Sequence, residues 1–577
     1  MNVSEKEKEA LELLENQIEA SIPEITDLER YRVGYSVLKG HIVGLSLFSY
    51  GLSNIPAIIG SLTFLKEIYL RGNNFSSIPD DLCSLPNLEI LDVSENHLKK
   101  LPDLIKSLSN LIELDLESNQ LEDLPDSIGD LVSLELLDLS ENKLKNIPSS
   151  LGKLSKLKTL DLSNNEISEL PDSLGKLNSL EILYLGNNQL NHLPERIGAL
   201  ISLKRLNLRN NTLRKLPETI GDLVSLTSLF IKGNKLRNLP SSIGKLSNLK
   251  YLGISSNRMN SLPNSIGSLS SLENLSISSN ELLELPDSIG FLKTLLRLEI
   301  SDNRLKSLPD SIGGLSSLKI LRCDRNLLTE LPKSIGELSS LEILKISSNL
   351  LNSLPDSIGE LKKSKELNLY DNKIEQLPEA LGALSSLEIL DLSKNELISL
   401  PESLGALDSL IELDVSTNKL TYLPSSIGTL PSIKSLILGF NRLVEIPKSI
   451  GFLTTLEILD LGKNRLSFIP ETLGSLTSLK HLYLYYNELS SIPDSIGSLH
   501  SLKYLYLGNN KLIILPDSIG RLKSLKYLFL RSNFLNELPE SVETLPSLKY
   551  LNIEKNNLKG YLDFIHRLEV RGIKILK

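Results

Sequence analysis

The chain has 577 residues and a formal net charge of −9, with acidic and basic side chains interspersed along its length. This balance argues against a nucleic-acid phosphate backbone as the main partner. Because a single hydrophobic core stops growing at about 250–300 residues, a chain of this length predicts either several domains or an array of repeats.

The N-terminal segment predicts a short capped helix. Ser4 and Glu7 have the spacing of a capping box, in which each side chain bonds the backbone N–H of the other residue. Leu11, Leu14 and Ile18 would then lie on one apolar face of the helix. The segment contains no apolar run of the signal-peptide kind, so we expect a protein that is not exported.

Residues 32–48 predict a β-hairpin that covers the first unit of a repeat array beginning at Ile42. Lys39 and Gly40 separate two strand-like runs there, as the tight turn of a hairpin would. We therefore predict an N-terminal cap, a helix plus a hairpin strand, over residues 1–41.

A single repeat then dominates the chain. Asn recurs every 23 residues from Asn73 to Asn556, in 22 copies without insertion or deletion, inside the frame LxxLxLxxNxLxxLPxxIGxLxx. The LxLxx part alternates apolar and polar residues, which predicts a half-buried strand in each unit. A period of this length is typical of a solenoid, which presents a long surface rather than a catalytic pocket.

The rest of each unit predicts a short return segment, such as Pro125 to Gly129. It is long enough for one or two turns of helix or 3₁₀ helix, which Pro would open with its preset φ. Gly holds a fixed place in 19 of 22 units, which indicates a tight backbone path or a positive φ. The Asn side chain would bond backbone groups where the chain leaves the sheet.

One core position departs from the frame. Ser364 stands where the neighbouring units have Leu or Ile, and Lys362 and Lys363 precede it. A large-to-small change in a core costs roughly 2–4 kcal/mol. Ser364 is therefore either a tolerated defect or a weak point of the array.

The repeat frame resembles the Ras-group class of leucine-rich repeats, which occurs in intracellular Ras-pathway scaffolds, plant disease-resistance proteins and many prokaryotic proteins. The resemblance runs from Ile42 to Leu558, with Tyr50 in the Asn place of the first unit. It implies an α/β solenoid: a right-handed leucine-rich-repeat horseshoe with a concave parallel β-sheet and short helical or 3₁₀ segments on the convex side. It also implies that the concave sheet binds other proteins, in signal transduction.

The C-terminal end predicts a second cap. Leu562 to Val570 would form a final helix and Ile573 to Leu576 a closing strand, which together would hide the apolar edge of the array. The predicted domains are therefore a cap at 1–41, about 23 repeats over 42–558 and a cap at 559–577.

The cysteines favour a reducing compartment. Cys83 stands in the place of a repeat Gly and Cys323 in the place of a core Leu, so both are expected to be small buried fillers. Ten repeats lie between them, too many for a disulfide. No run of 18 apolar residues predicts a membrane span. We therefore expect a cytoplasmic protein.

An enzyme would need a catalytic constellation, and none is recognisable. The six His residues do not pair with Cys, Asp or Glu at metal-ligand spacing, and no GxxxxGK[ST] or HExxH motif occurs. We predict a chain that is not an enzyme and that needs no cofactor or metal.

The variable strand positions carry the information about partners. Asp92, Asp115, Asp138 and Asp161 would stack at intervals of about 4.8 Å in neighbouring strands. This acidic stack would either be solvated or take up a cation or a basic partner. We do not predict a metal site there.

A second stretch is basic and mixed with acids. Arg322, Arg325 and Lys345 are predicted partner-binding residues, with Glu299 and Asp324 among them. Arg is favoured at interfaces. The alternative is a surface of solvent-screened ion pairs that has no role in binding.

The last four units hold the strongest binding candidate, a group of aromatic residues flanked by one Lys in each unit. Exposed aromatic patches mark binding sites, because rings supply contact area at little cost in entropy. The alternative is an aromatic stack that only supports the sheet. The predicted partner-binding residues of this cluster are His481, Tyr483, Tyr485, Tyr486, Tyr504, Tyr506, Tyr527, Phe529 and Tyr550.

These observations predict a monomeric, non-catalytic scaffold that binds another protein through the concave face of the solenoid. By resemblance, a small Ras-like GTPase or its effector is a candidate partner, and no nucleic acid is expected. Two alternatives stay open, a surface that recognises a glycan or another ligand by stacking Tyr on sugar rings, and a purely structural spacer.

Overall fold

The computed structural model describes residues 3–26, 28–559 and 561–577. By its internal contacts the chain divides into two compact units, Met1–Leu282 and Leu283–Lys577. Both units are built from the same repeat of one short strand and one return segment.

The first unit begins with the predicted capped helix, α1 (Glu5–Ile18). The Ser4 Oγ accepts a hydrogen bond from the Glu7 N–H, and the Ser4 N–H donates to Glu7 Oε2 at 3.2 Å, so the capping box is confirmed. Glu7 is buried, and its other carboxylate oxygen accepts the N–H of Ile42 at 3.2 Å. The capping residue therefore also ties the helix to the strand that begins at His41.

The predicted hairpin comes next and leads directly into the repeats. Its strands β1 (Gly34–Leu38) and β2 (His41–Ser46) pair antiparallel, and the turn residues Lys39 and Gly40 both have a positive φ. From β2 to the last strand of the first unit, each strand pairs with the next one in parallel, as in the register Leu91 to Leu114. The strands of the first unit are β1 (Gly34–Leu38), β2 (His41–Ser46), β3 (Glu67–Tyr69), β4 (Ile90–Asp92), β5 (Glu113–Asp115), β6 (Leu136–Asp138), β7 (Thr159–Asp161), β8 (Ile182–Tyr184), β9 (Arg205–Asn207), β10 (Ser228–Phe230), β11 (Tyr251–Gly253) and β12 (Asn274–Ser276).

The second unit continues the parallel pattern and ends with the predicted cap. The helix α3 (Leu562–Val570) buries Phe564, Ile565 and Leu568, and the last strand pairs in parallel with its neighbour. The strands of this unit are β13 (Arg297–Glu299), β14 (Ile320–Arg322), β15 (Ile343–Lys345), β16 (Glu366–Asn368), β17 (Ile389–Asp391), β18 (Glu412–Asp414), β19 (Ser435–Ile437), β20 (Ile458–Asp460), β21 (His481–Tyr483), β22 (Tyr504–Tyr506), β23 (Tyr527–Phe529), β24 (Tyr550–Asn552) and β25 (Lys574–Leu576).

The return segments are 3₁₀ helices, except for the α-helical turn α2 (Asp80–Cys83). Each begins directly after the repeat Pro, whose φ lies near −70°. In the first unit they span Ala57–Ser61, Asp103–Ser107, Asp126–Asp130, Ser149–Lys153, Asp172–Lys176, Glu195–Ala199, Glu218–Asp222, Ser241–Lys245 and Asn264–Ser268. In the second unit they span Asp287–Phe291, Asp310–Gly314, Lys333–Glu337, Asp356–Glu360, Glu379–Ala383, Glu402–Ala406, Ser425–Thr429, Lys448–Phe452, Glu471–Ser475, Asp494–Ser498, Asp517–Arg521 and Glu540–Thr544. The predicted solenoid of parallel strands and short 3₁₀ segments is thus confirmed within each unit.

The repeat Gly is required by close packing and not by its backbone angle. A Cβ atom at Gly129 would lie 2.2 Å from the carbonyl oxygen of Ser150 in the next return segment. Gly129 is not among the residues with a positive φ. Of the two predicted reasons for this Gly, the tight path is confirmed and the positive φ is wrong.

The repeat Asn has the predicted structural role. Asn119 Nδ2 donates to the carbonyl oxygens of Val93 at 2.9 Å and Leu116 at 3.2 Å, and its Oδ1 accepts the N–H of Leu98 at 2.9 Å. Asn142 makes the same three bonds one unit later. Each amide therefore satisfies backbone groups of its own unit and of the preceding one, where the chain has left the sheet.

Ser364 lies in the core, as its place in the frame predicts. It is buried, and its hydroxyl has no hydrogen-bond partner among the described residues. The site therefore combines a lost apolar contact with an unsatisfied polar group.

Candidate protein-binding surface

Each repeat strand has one side in the core and one side that faces away from it. In β21, for example, Leu482 is buried, whereas His481 and Tyr483 on either side of it are half-buried. The first and third residues of successive strands therefore form a continuous surface within each unit. We call this surface the open face.

On the open face of β21–β24, the first strand residues form one column of stacked rings. His481 stacks on Tyr504 with ring centroids 4.5 Å apart, and Tyr504 stacks on Tyr527 at 4.7 Å. Tyr550 ends the column in a tilted contact with Tyr527 at 6.3 Å. The parallel register brings these residues together, because each lies directly opposite the equivalent residue of the next strand.

The third strand residues form a second column beside the first. Tyr483 stacks on Tyr506 at 4.7 Å and Tyr506 on Phe529 at 4.3 Å, with the ring planes within 17° of parallel. Phe529 meets Tyr550 at 5.1 Å, so the two columns converge at their last member. We call the seven residues of both columns the aromatic ladder.

Tyr485 and Tyr486 lie beside the ladder and not in it. Tyr485 meets the Tyr483 ring edge-on at 6.5 Å and packs so closely on Gly462 that a Cβ there would lie 2.4 Å from the ring. Tyr486 has φ 54° and is 53% exposed. The Lys463 ammonium lies 5.4 Å from the centre of its ring. The cluster predicted from the sequence is therefore one site with two kinds of ring, seven in the columns and two at the rim.

Stacking determines which parts of the ladder a ligand can reach. Tyr504 and Tyr506 each have a neighbouring ring on both faces at 4.3–4.7 Å, which leaves no gap there for a third planar group. Both residues are nevertheless half-exposed. A sugar ring therefore cannot stack on the face of either of these two rings, and the rings at the ends of the columns are not restricted in this way.

The ladder carries little charge of its own. Burial, reinforced by the Asp460 carboxylate, raises the pKa of Tyr483, and burial raises the pKa of Tyr506. Burial lowers the pKa of His481, and the ammonium groups of Lys503 and Lys480 lower it further. At neutral pH the edge of the ladder therefore offers uncharged rings and hydroxyl groups.

The basic stretch predicted around Arg322 forms ion pairs within its own surface. Arg325 bonds Asp302 through two guanidinium nitrogens, and Lys345 Nζ lies 2.7 Å from Glu366 Oε1. Arg322 lies opposite Lys345 on the open face and approaches Glu299 at 3.9 Å. These three predicted binding residues are together in space, but acids of the same surface already engage them.

The solvated alternative is wrong for only part of the acidic stack. Asp92 and Asp115 are buried, whereas Asp138 and Asp161 are half-buried. Residues 28–32 lie against the buried part of the stack. Arg30 of this segment donates to Asp115 Oδ2 at 3.0 Å, pairs with Glu113, and lies 5.9 Å above the Tyr69 ring. The basic partner that the stack takes up is thus a segment of the same chain.

This covering segment is the feature that the sequence did not reveal. It lies between α1 and β1, and its Tyr31 meets Phe48 edge-on at 5.6 Å while Arg71 lies 5.4 Å above the Tyr31 ring. The only local signal is a mixed run of charged and aromatic residues around Arg30 and Tyr31. Such a run does not indicate which surface it will contact.

Within the described parts of the chain, no group of three or more His, Cys, Asp or Glu residues could hold a metal ion. No helix there has the length and apolar character needed to span a membrane. Cys83 and Cys323 are both buried and free, as predicted, and burial raises the pKa of each thiol.

Two family models match this chain, and both describe leucine-rich repeats. The leucine-rich repeat region model matches residues 114–187, 187–281, 275–368 and 355–440, and the leucine rich repeat model matches residues 63–121, 431–484 and 454–512. The chain belongs to the leucine-rich-repeat family. A comparison with curated proteins gives no match.

Solved structures of the same family are similar to this leucine-rich-repeat protein. The Arabidopsis receptor kinase HAESA, in complex with the peptide hormone IDA and a co-receptor, is 29% identical, with a TM-score of 0.63 and coverage of 96% of this chain and 93% of that chain. YopM from Yersinia enterocolitica is 30% identical, with a TM-score of 0.58 and coverage of 84% and 90%. A leucine-rich-repeat protein of Leptospira interrogans is 32% identical, with a TM-score of 0.52 and coverage of 77% and 96%.

Proposed function

We propose that this leucine-rich-repeat protein is a non-catalytic binding scaffold whose partner, a protein or peptide, docks on the aromatic ladder. The observation that carries the proposal is the pair of stacked columns on the open face of β21–β24. Among the described residues, the aromatic rings in contact with the columns are their own members and Tyr485. No other described segment occupies the ladder as residues 28–32 occupy the acidic stack.

The ladder has the physical properties of an interface anchor. Its rings are held in place before binding, so a partner would lose little additional side-chain entropy on docking. Tyr is enriched among the residues that dominate binding energy at interfaces. The similar receptor kinase HAESA is a leucine-rich-repeat protein in complex with a peptide hormone, which supports a peptide or protein as the class of partner.

The remaining features of the proposal come from the sequence. The resemblance of the repeat frame to the Ras-group class suggests a small GTPase or its effector as one partner to examine, a role that the similar structures do not support. We propose a monomer in the cytoplasm, where the free thiols of Cys83 and Cys323 would stay reduced. A function in signal transduction would follow from the identity of the partner.

Affinity purification with mass spectrometry from the source cell's lysate tests this proposal. The bait would be the parent protein beside a ladder variant that carries Tyr483→Ser, Tyr506→Ser, Tyr527→Ser and Phe529→Ala. Tyr251→Ser is the matched control, because Tyr251 occupies the first position of β11 and is exposed there. Circular dichroism would first verify that all three proteins are folded.

The proposal predicts a protein that the parent and the Tyr251→Ser control retain and that the ladder variant loses. Truncating residues at the centre of an interface costs about 2 kcal/mol or more for each important ring, so the loss should be nearly complete. Equal retention by all three baits would contradict the proposal.

A further inference from the structure

A second row of residues runs beside the aromatic ladder and indicates the kind of partner that fits it. The row consists of the residue immediately before each repeat strand, such as Lys480 before β21. Successive members are joined by backbone hydrogen bonds, as from the Lys503 N–H to the Lys480 carbonyl oxygen at 2.8 Å. We call it the edge row.

From Lys66 to Lys480, no two neighbouring members of the edge row carry the same charge. Where Lys and Glu are neighbours, they pair repeatedly across adjacent strands within a unit. Measured N–O distances are 2.5 Å for Lys66–Glu89, 2.7 Å for Lys158–Glu135, 2.8 Å for Lys204–Glu181, 3.0 Å for Lys250–Glu273, 3.4 Å for Lys319–Glu342 and 2.6 Å for Lys480–Glu457. Over most of the edge row, the charge of each Lys is therefore balanced by a neighbouring Glu of the same row.

This alternation stops at the aromatic ladder. The members beside β21–β24 are Lys480, Lys503, Lys526 and Lys549, four of one charge in succession. Lys480 is engaged by Glu457. Within the described chain, Lys503, Lys526 and Lys549 make no ion pair. Like charges on neighbouring strands destabilise a sheet, so this triplet weakens the fold where a single Glu would strengthen it.

The lysine triplet and the ladder belong to one surface. Lys503 and Lys480 lie close enough to the first column to lower the pKa of His481. At the other end, the Lys574 N–H donates to the Lys549 carbonyl oxygen at 2.9 Å, and the Lys574 ammonium lies 6.0 Å from the Tyr550 ring centre. A cationic edge thus accompanies the rings from β22 to β25.

We propose that this surface binds an extended acidic peptide segment, with carboxylates of the partner paired to Lys503, Lys526 and Lys549 and its apolar side chains on the ring edges. The inference rests on the proposed function and names the class of partner. Charge complementarity is its basis, because an acid supplied from outside would restore the alternation that the chain keeps elsewhere in the edge row.

The spacing of the triplet fits an extended chain. Neighbouring strands lie about 4.8 Å apart, so three successive lysines span about 9.6 Å. In an extended peptide, side chains that point the same way recur every 6.6–6.8 Å or so. Two carboxylates separated by one residue would therefore fit within the row, each within reach of two flexible Lys side chains.

A nucleic acid would need a different arrangement of the same residue types. Single-stranded nucleic acids bind to basic grooves by stacking bases on aromatic faces. Both faces of Tyr504 and of Tyr506 are covered by neighbouring rings at 4.3–4.7 Å. The geometry therefore favours an acidic peptide over a polynucleotide.

Fluorescence anisotropy with defined probes tests this inference. The probes are a short labelled peptide in which Glu alternates with Val, its counterpart with Gln in place of Glu, and a labelled oligothymidylate of similar length. The key variant is Lys526→Glu, which makes the charges alternate within the triplet and should leave thermal stability equal to or above that of the parent. Lys526→Gln removes the charge without adding a new one, and Lys365→Ala is the control in a paired part of the edge row.

The expected result is that the parent binds the Glu peptide at least about tenfold more tightly than the Gln peptide, with an affinity that falls as salt rises. Lys526→Glu should lose about tenfold or more of this affinity, Lys526→Gln should lose less, and Lys365→Ala should match the parent. Equal binding of the Glu and Gln peptides, unchanged binding by Lys526→Glu, or a preference for the oligothymidylate would each overturn the inference.

The lysate experiment separates this inference from the proposed function. If the ladder variant loses a protein that the Lys526→Glu variant retains, the result supports the aromatic ladder as the binding surface and contradicts an acidic segment as its partner. If neither variant loses a protein that the parent retains, both proposals fail.

Discussion

The acidic stack on β4–β7 and the aromatic ladder on β21–β24 occupy the same positions of the same repeat. In the first unit, residues 28–32 cover part of this surface and Arg30 supplies the counter-charge for Asp115. In the second unit, the rings cover one another, and three neighbouring lysines keep a charge that no described residue balances. In the first unit the group that compensates the unusual residues belongs to the chain itself, and we propose that in the second unit a separate partner supplies it.

Removing the internal partner should have the largest effect. Arg30→Ala leaves the Glu113 and Asp115 carboxylates on the open face without their cation, and breaking such a pair is strongly destabilising. We expect a loss of about 3 kcal/mol in the free energy of unfolding of the N-terminal repeats, measured by urea denaturation.

Arg32→Ala is the control for this experiment, because Arg32 lies in the same segment but is exposed. It should change stability by no more than about 0.5 kcal/mol. If Arg30→Ala is equally mild, the covering segment is not what compensates the acidic stack.

The fold as a whole could be predicted from the sequence because its signals are local and repeated 22 times. The alternating Leu residues, the Pro before each return segment and the spacing of Ser4 and Glu7 each act within one unit. The ladder was also predictable, since an unbroken 23-residue period brings Tyr483, Tyr506 and Phe529 into register. The first two stack as expected, and Phe529 continues their column.

The features that the sequence did not predict depend on contacts between distant residues or on backbone angles. Arg30 lies 85 residues from Asp115, and no period connects them. The residue before most of the repeat Asn residues adopts a positive φ, as Tyr486 does, although it is rarely Gly. This angle accounts for the position of Tyr486 outside the columns, whereas Tyr485 lies outside them in an edge-on contact with Tyr483 and close packing on Gly462.

The stability of the first unit should depend on pH through the buried Asp115 carboxyl. Burial, with a further contribution from Asp92, raises the pKa of Asp115 to about 7. An Asp in the unfolded chain titrates near pH 3.9 or so. The contribution of this group to folding is therefore fully present below about pH 4, is lost as the pH rises to about 7, and is constant above that.

Asp115→Asn should therefore become more stable relative to the parent as the pH rises. We expect the difference in unfolding free energy to shift by about 2–3 kcal/mol between about pH 4 and pH 7, measured by urea denaturation across that range. A difference that does not change with pH would show that Asp115 is as well solvated as an ordinary carboxylate.

A substitution at Ser364, in the core of the second unit, should change the stability of the protein without changing binding at the aromatic ladder. Ser364→Leu should fill the site of a buried, unsatisfied hydroxyl and stabilise the unit by about 2 kcal/mol. Binding at the ladder should not change, because Ser364 does not lie on the open face. Lower stability, measured by thermal denaturation, would mean that the core is packed tightly around the Ser364 side chain and has no space for a Leu side chain.

The smallest effect concerns the ladder as a support of the sheet. A double-mutant cycle with Tyr506→Ala and Phe529→Ala should give a coupling of about 1 kcal/mol, as for other stacked rings. A coupling of about 3 kcal/mol would favour the interpretation in which the ladder exists mainly to hold β22 and β23 together.

Site-specific photo-crosslinking in the source cell tests the central claim most directly. A photoreactive phenylalanine analogue would replace Tyr506 on the ladder or, as the control, Tyr251 on the open face of β11. We expect a discrete crosslinked species at Tyr506 that is absent at Tyr251 and that disappears when Lys526→Glu is added. Crosslinking at Tyr251 equal to that at Tyr506, or none at either position, would contradict the claim that the aromatic ladder is where this protein holds its partner.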